Sequence, residues 1–305
     1  MTDGLENLWV VLSVAAAGFQ TLRFMMQKVL STATLSPAGA TFARFIYSAP
    51  IVLVLLAVYL GISAQSLPQM SLQFWVYAAI GGLAQVTATV CTVMLFKART
   101  FAVGVTLIKT EVLLSVLVGF VVLGDVVGLL GAAAIFLGLI GVLLLSKPPE
   151  SKSRGWGEIW NKGVALGLTA GFLFSISAVS YRGASLELGS QDAALRAGVT
   201  LAAVTSMQMI GMALWLWRFD PGQVRAVWRA RQTAVWIGLL SLAGSFCWFF
   251  AFTLQNAAYV KAVGQIELVF SLVASSLFFG ERSTTREILG MSVLCASILI
   301  LIMGT

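Results

Sequence analysis

Residues 102–127 read AVGVTLIKTEVLLSVLVGFVVLGDVV, and residues 258–283 read AYVKAVGQIELVFSLVASSLFFGERS. Each stretch sets one glutamate, Glu111 or Glu267, inside an apolar run. Thirteen residues later comes a glycine and an acid, Gly124-Asp125 in the first and Gly280-Glu281 in the second. The glutamates lie 156 residues apart, and the same offset pairs Ala102 with Ala258 and Ser115 with Ser271. It also carries Gln85, Thr89, Thr92 and Phe96 onto Ser241, Ser245, Trp248 and Phe252. Neighbouring offsets carry Ala17-Gly18-Phe19 onto Ala170-Gly171-Phe172, Lys28 onto Arg182 and Arg44 onto Arg196. A period this long means that the chain is built from two similar halves.

The surrounding composition fixes the solvent. Of 305 residues, 59% are hydrophobic and 10% charged, and the mean hydropathy is +0.95. Soluble domains carry about 25% charged residues, so a soluble globular protein is excluded. A bilayer-spanning helix takes roughly 20 apolar residues. The continuous runs argue against a β-barrel, whose strands alternate apolar and polar residues. Ten helices are expected at 8–30, 37–60, 72–96, 102–123, 127–146, 161–184, 192–217, 232–255, 258–279 and 287–304. Ser36-Pro37, Lys147-Pro148-Pro149 and Asp220-Pro221-Gly222 punctuate them.

The expected fold is therefore an all-α polytopic membrane protein with two five-helix repeats, 1–146 and 161–305, joined by a polar linker at 147–160. Five is odd, so the second repeat enters the membrane from the opposite side. Inverted repeats recur in transporters, with the site near the midplane between the halves. Fourteen of the 19 basic residues, Arg23 among them, fall near alternate loops, while Arg182, Arg196 and Lys261 are the most the other side holds. The positive-inside rule then puts both termini on the non-cytoplasmic side. Eight of the nine tryptophans lie near helix ends or in loops, as an aromatic belt would; Trp248 is in mid-span. Gly163, Gly167 and Gly171 are spaced for close helix packing. The first basic residue is Arg23, so the start lacks the charged region of a cleavable signal and the mature chain is expected to begin at Met1.

Several chemistries drop out. With no histidine, Ser-His catalysis and most zinc sites are excluded. Cys91, Cys247 and Cys295 sit in apolar runs and read as free thiols. No GxxxxGK[ST] motif is present, so the chain has no evident ATP-driven motor. No cofactor, metal or nucleic-acid partner is expected. The net charge of +7 reads as loop topology.

The two glutamate segments, with Arg44 and Arg196 early in the second and seventh helices, make the chain resemble the drug/metabolite transporter superfamily of the ten-helix EamA type. That family usually has proline after the glutamate; Val112 and Leu268 stand there instead. Within the superfamily the chain is most similar to bacterial aromatic amino acid exporters. The resemblance implies a carrier in the bacterial inner membrane that exports aromatic or other apolar amino acids, methionine included; whether it works as a monomer is left open by the sequence. A drug or cation efflux carrier is the alternative; a membrane-embedded enzyme and a channel are the other classes.

The candidate substrate-binding residues follow from polar and aromatic stripes at helical spacing. The first helix offers Ser13, Gln20, Phe24 and Gln27. The third offers Gln85, Thr89, Thr92 and Phe96. The sixth offers Phe174, Ser177 and Tyr181. The eighth offers Ser241, Ser245, Trp248, Phe252 and Gln255. Short polar side chains in such stripes also bond their own helix carbonyls. Lys109 and Glu111 are two residues apart, hence about 200° apart on a continuous helix. Lys109 and Gln265 are repeat mates, and their face is expected to meet the cavity. Glu111 with Ser115, and Glu267 with Ser271, would pack against neighbouring helices. The glutamates have either a structural, charge-neutralising role or a direct one in substrate binding or proton coupling. Broken helices are not expected to form the site, since only Pro50 lies well inside a span.

Overall fold

A computed structural model describes residues 7–33, 35–98, 108–145, 162–270, 273 and 285–303. All regular structure among them is helical. The first half has α1 (Leu8–Ala33), α2 (Pro37–Ser63), α3 (Leu72–Ala98), α4 (Glu111–Leu123) and α5 (Leu129–Leu145). The second has α6 (Lys162–Leu186), α7 (Ala193–Phe219), a short α8 (Gln223–Arg229), α9 (Arg231–Leu254), α10 (Ala257–Val263) and α11 (Thr285–Met303). Of the expected spans, 102–123 is described as regular helix from Glu111 onward and 258–279 mainly as the seven-residue α10; α8, in the loop after α7, was not expected. Helices α1, α2, α3, α7 and α9 are long and apolar enough to cross a membrane. The linker 147–160, Ser271 and Gly280-Glu281 lie outside the described residues.

Local chemistry sets the helix ends. Ser36 caps α2 by accepting the Gly39 N–H, and Pro37 at the first position lacks the donor that would go unpaired there. Asp192 caps α7 by accepting the Ala194 and Leu195 N–H groups. Gly124 ends α4 in the left-handed region (φ 68°), the conformation glycine adopts without Cβ strain.

The outer surface is apolar; Leu129 is 89% exposed and Val121 80%. In lipid such surface costs nothing, so what joins the helices is close packing and interior polar contact. Their partners exchange between the halves: α1 lies on α9 and α6 on α3, while α2 meets α7 and α5 meets α11. Small residues permit this. A Cβ on Gly141 would stand 2.9 Å from the Leu294 nitrogen, and one on Gly183 3.0 Å from the Tyr77 ring.

The interior holds two backbone interruptions. The chain turns at Lys109 and Thr110 before α4 starts at Glu111. It tightens to a 3₁₀ turn over Gly264–Ile266 before helix resumes at Glu267. Positions 109–110 and 265–266 are equivalent under the 156-residue offset, and each break immediately precedes its glutamate. This corrects the expectation of unbroken helices here. Gly171 on α6 fits against the first break, where a Cβ would stand 2.5 Å from Thr110 Oγ1 and 3.0 Å from the Ile108 carbonyl. Gly264 lies against Trp248, whose ring a Cβ would strike.

Two other expectations also change. Arg23 is buried, 3% exposed, rather than at a loop, and its Nη1 donates to Gln27 Oε1 at 2.8 Å. Trp9 belongs to the core, whereas Trp75, Trp215, Trp217, Trp228 and Trp236 are exposed; Trp156 and Trp160 are outside the described residues.

Candidate functional site

The breaks bring the four intramembrane charges together. Lys109 Nζ donates to Glu267 Oε2 at 2.5 Å, and Lys261 Nζ donates to Glu111 Oε2 at 3.1 Å. Each pair joins one half of the chain to the other. All four side chains are at most 8% exposed. A lone charge at this depth costs about 2.5–3.5 kcal/mol on insertion scales, so pairing is the condition for its presence. Lys109 and Glu111, expected on different faces, both line one small cavity, together with Gln20, Phe24, Ile108, Phe174, Lys261 and Glu267. The glutamates therefore face the interior cavity rather than packing away from it.

A second cavity shares Gln20, Phe174 and Lys261 with the first and is lined further by Arg44, Gln85, Ser177, Ala178, Tyr181, Ser245, Trp248, Phe249 and Phe252. Its residues come from α1, α2, α3, α6, α9 and α10, hence from both halves. Gln20 couples the two spaces: its Nε2 donates to Glu267 Oε2, and its Oε1 accepts from Trp248 Nε1, each at 3.1 Å. Tyr181 Oη and Gln208 Nε2 both donate to Gln85 Oε1 at 3.0 Å. Arg44 Nη2 donates to Ser245 Oγ at 2.9 Å. The apolar wall is built of rings. Trp248 stacks on Phe252 (centroids 5.7 Å, planes 16° apart), and Tyr181 stacks on Phe249. Lys261 Nζ lies 4.8 Å from the Trp248 ring, 5.6 Å from Phe174 and 5.9 Å from Phe252.

Of the candidates from sequence, Gln20, Phe24, Gln85, Lys109, Ser177, Tyr181, Ser245, Trp248 and Phe252 line these spaces, as do Glu111 and Glu267. Three others are placed elsewhere. Thr89 and Thr92 are buried and turn their hydroxyls back to the Gln85 and Ala88 carbonyls, each at 2.8 Å. Gln265 is buried away from both cavities, and a Cβ on Gly138 of α5 would stand 3.4 Å from its Oε1. Ser13 bonds the Trp9 carbonyl, and Gln27 bonds Arg23 and the Ala40 carbonyl. Sequence reasoning left out Arg44 as a cavity residue and placed Lys261 nearer a helix end. The signal for Lys261 was present, because a lysine at this depth must find a carboxylate.

The Gly124-Asp125 motif serves the rim. Asp125 accepts from Arg182 Nε at 2.9 Å, and Arg182 Nη1 also donates to the Phe252 and Gln255 carbonyls. This ties α6 to the end of α9. The cavities together leave room for only a few water molecules. A solute of amino-acid size enters only if the helices part.

Residues 161–303, the second half, match the EamA-like transporter family. A solved crystal structure, described only as that of a protein, superposes on 96% of this chain and 94% of its own length with a TM-score of 0.69. At 14% identity that likeness is one of fold. No curated protein matches the sequence. The apolar helices and the family match make this a multi-pass membrane protein whose second half is similar to a family of transporters.

Proposed function

We propose that the chain is a secondary transporter of small amphipathic metabolites, working by alternating access between two inverted five-helix halves. The observation that carries this reading is the pair of adjoining interior cavities walled by both halves, with both cross-half ion pairs lining one of them. Interrupted helices at membrane depth are tolerated where protein or a cavity satisfies them, and transporter sites use such breaks. The exchange of helix partners between the halves supports the inverted arrangement.

The cargo in this reading is an aromatic or other apolar amino acid, methionine included, moved outward across a bacterial inner membrane by a chain with both termini on the non-cytoplasmic side. Trp248, Phe252, Phe174 and Phe24 would hold the apolar side chain, and Gln20, Gln85, Ser177 and Ser245 the polar end. A carrier of drug-like cations is the second reading; its cation would have to displace Lys261 Nζ from the three rings around it.

The test is efflux of labelled phenylalanine, tryptophan or methionine from liposomes holding the purified protein. Saturable efflux that unlabelled amino acid inhibits is expected; flux rising without saturation would mean a channel. Trp248→Ala should weaken transport with little loss of folded protein. Normal kinetics in that variant would remove the cavity from the mechanism.

A further inference from the structure

We infer that the central site reads the carboxylate of its substrate, that Arg44 is the group that reads it, and that no substrate ammonium is required. The inference deepens the transporter reading and rests on it for the word substrate.

The charge balance is the starting point. Among the described residues the buried acids are Glu111 and Glu267, and the buried bases are Arg23, Arg44, Lys109 and Lys261. Each glutamate is already held by a lysine. The two arginines remain in excess. Arg23 gives Nη1 to Gln27, lies 4.2 Å from the Phe24 ring and is not a cavity-lining residue. Arg44 does line the cavity, is 4% exposed and spends one nitrogen on the Ser245 hydroxyl. It has no acidic partner among the described residues. A guanidinium has five donors in a planar fork matched to a carboxylate. Removing it from water leaves a cost that an anion from outside offsets.

The other cation on this cavity, Lys261, is already engaged by the protein itself. The place that would suit an ammonium, three aromatic rings beside a carboxylate, contains Lys261 Nζ bonded to Glu111. A substrate amine meets a cation there. A substrate carboxylate meets Arg44, with the Ser177 and Ser245 hydroxyls and the Gln85 amide lining the same cavity. The favoured class is thus an apolar or aromatic carboxylate, within which amino acids fall. Amines without a carboxylate are disfavoured.

The experiment is equilibrium binding of labelled 3-phenylpropionate to the detergent-purified full chain. The competitors are phenylalanine, phenethylamine and the neutral amide of 3-phenylpropionate. Phenylalanine should compete within a few-fold of 3-phenylpropionate, and the amine and amide at least about tenfold more weakly. Arg44→Gln should weaken 3-phenylpropionate about tenfold or more, and Arg44→Lys, a point charge without the fork, by less. If Arg44→Gln fails to fold, the competitor series on the unaltered protein decides. Phenethylamine competing as well as 3-phenylpropionate, or no bound label at all, would overturn the inference. Binding without flux in liposomes would retain the carboxylate site and reject the carrier. Saturable flux of phenethylamine would retain the carrier and reject the carboxylate site.

Discussion

The two crossed ion pairs use equivalent glutamates and inequivalent lysines, and their surroundings differ. Glu267 accepts from Lys109 at 2.5 Å and from Gln20 as well, and the pair is 4% and 1% exposed. Lys261 and Glu111 stand 3.1 Å apart at 8% and 5% exposure, and the ammonium shares itself with three rings. The first pair is a fastening between the halves. In the second, Lys261 lines both cavities and lies between a carboxylate and aromatic faces. Near-symmetry of sequence has thus produced one more enclosed and one less enclosed contact, a difference that the proposed rocking of the halves would use.

The largest effect should come from breaking the tighter pair. Glu267→Gln or Lys109→Met should destabilise the folded protein by about 3–5 kcal/mol, because a buried charge loses its partner. Lys109→Met with Glu267→Leu should recover much of that loss. Glu111→Gln should cost about 1 kcal/mol less than Glu267→Gln, since the rings still hold Lys261. Unfolding curves in detergent compare them; equal losses would erase the distinction drawn here.

Next are the glycines at the breaks. Gly264→Ala drives a methyl into Trp248, and Gly171→Ala drives one against Thr110 and the Ile108 carbonyl. Each should cost about 1–3 kcal/mol, the usual range for overpacking. Gly211→Ala, in open space on α7, is the control and should be neutral or slightly stabilising. A neutral Gly264→Ala would mean that Trp248 does not seat on the second break.

The smallest effect lies at the rim, where water replaces protein as the partner. Burial alone would push the Asp192 carboxyl up. Bonds from Tyr59 Oη, the Leu195 N–H, Gln65 Nε2 and the Ala194 N–H outweigh it and hold the carboxyl below its ordinary range. A depressed folded value means that this contribution is present above about pH 4, the unfolded value, and fades as pH falls through the folded one. Asp192→Ala should cost about 1 kcal/mol at pH 7 and progressively less in acid. A cost that does not change with pH would assign the effect to packing.

Much of this was legible in the sequence because membrane helices announce themselves by composition and the repeat by two glutamates in register. Gln20, Gln85, Ser245, Trp248 and Phe252 followed from helical spacing, which holds wherever the helix is continuous. It fails at Lys109 and Glu111, where the chain turns between them. Ile108-Lys109-Thr110 has neither proline nor glycine, so nothing local marks that break. Its visible correlate was Gly171, on another helix. Gln265 was misplaced for the same reason, since Gly264–Ile266 is a 3₁₀ turn and the residue rotates toward α5. Thr89 and Thr92 satisfy their hydroxyls within α3, an outcome that spacing alone does not distinguish from a cavity role.

The central claim is that one cavity serves both sides of the membrane. It is tested by Ser177→Cys in a background where Cys91, Cys247 and Cys295 are replaced, probed with a membrane-impermeant thiol reagent added to either face of sealed vesicles. The account predicts labelling from each face in turn and protection by phenylalanine or 3-phenylpropionate. Labelling from one face alone, unchanged by either compound, would contradict it.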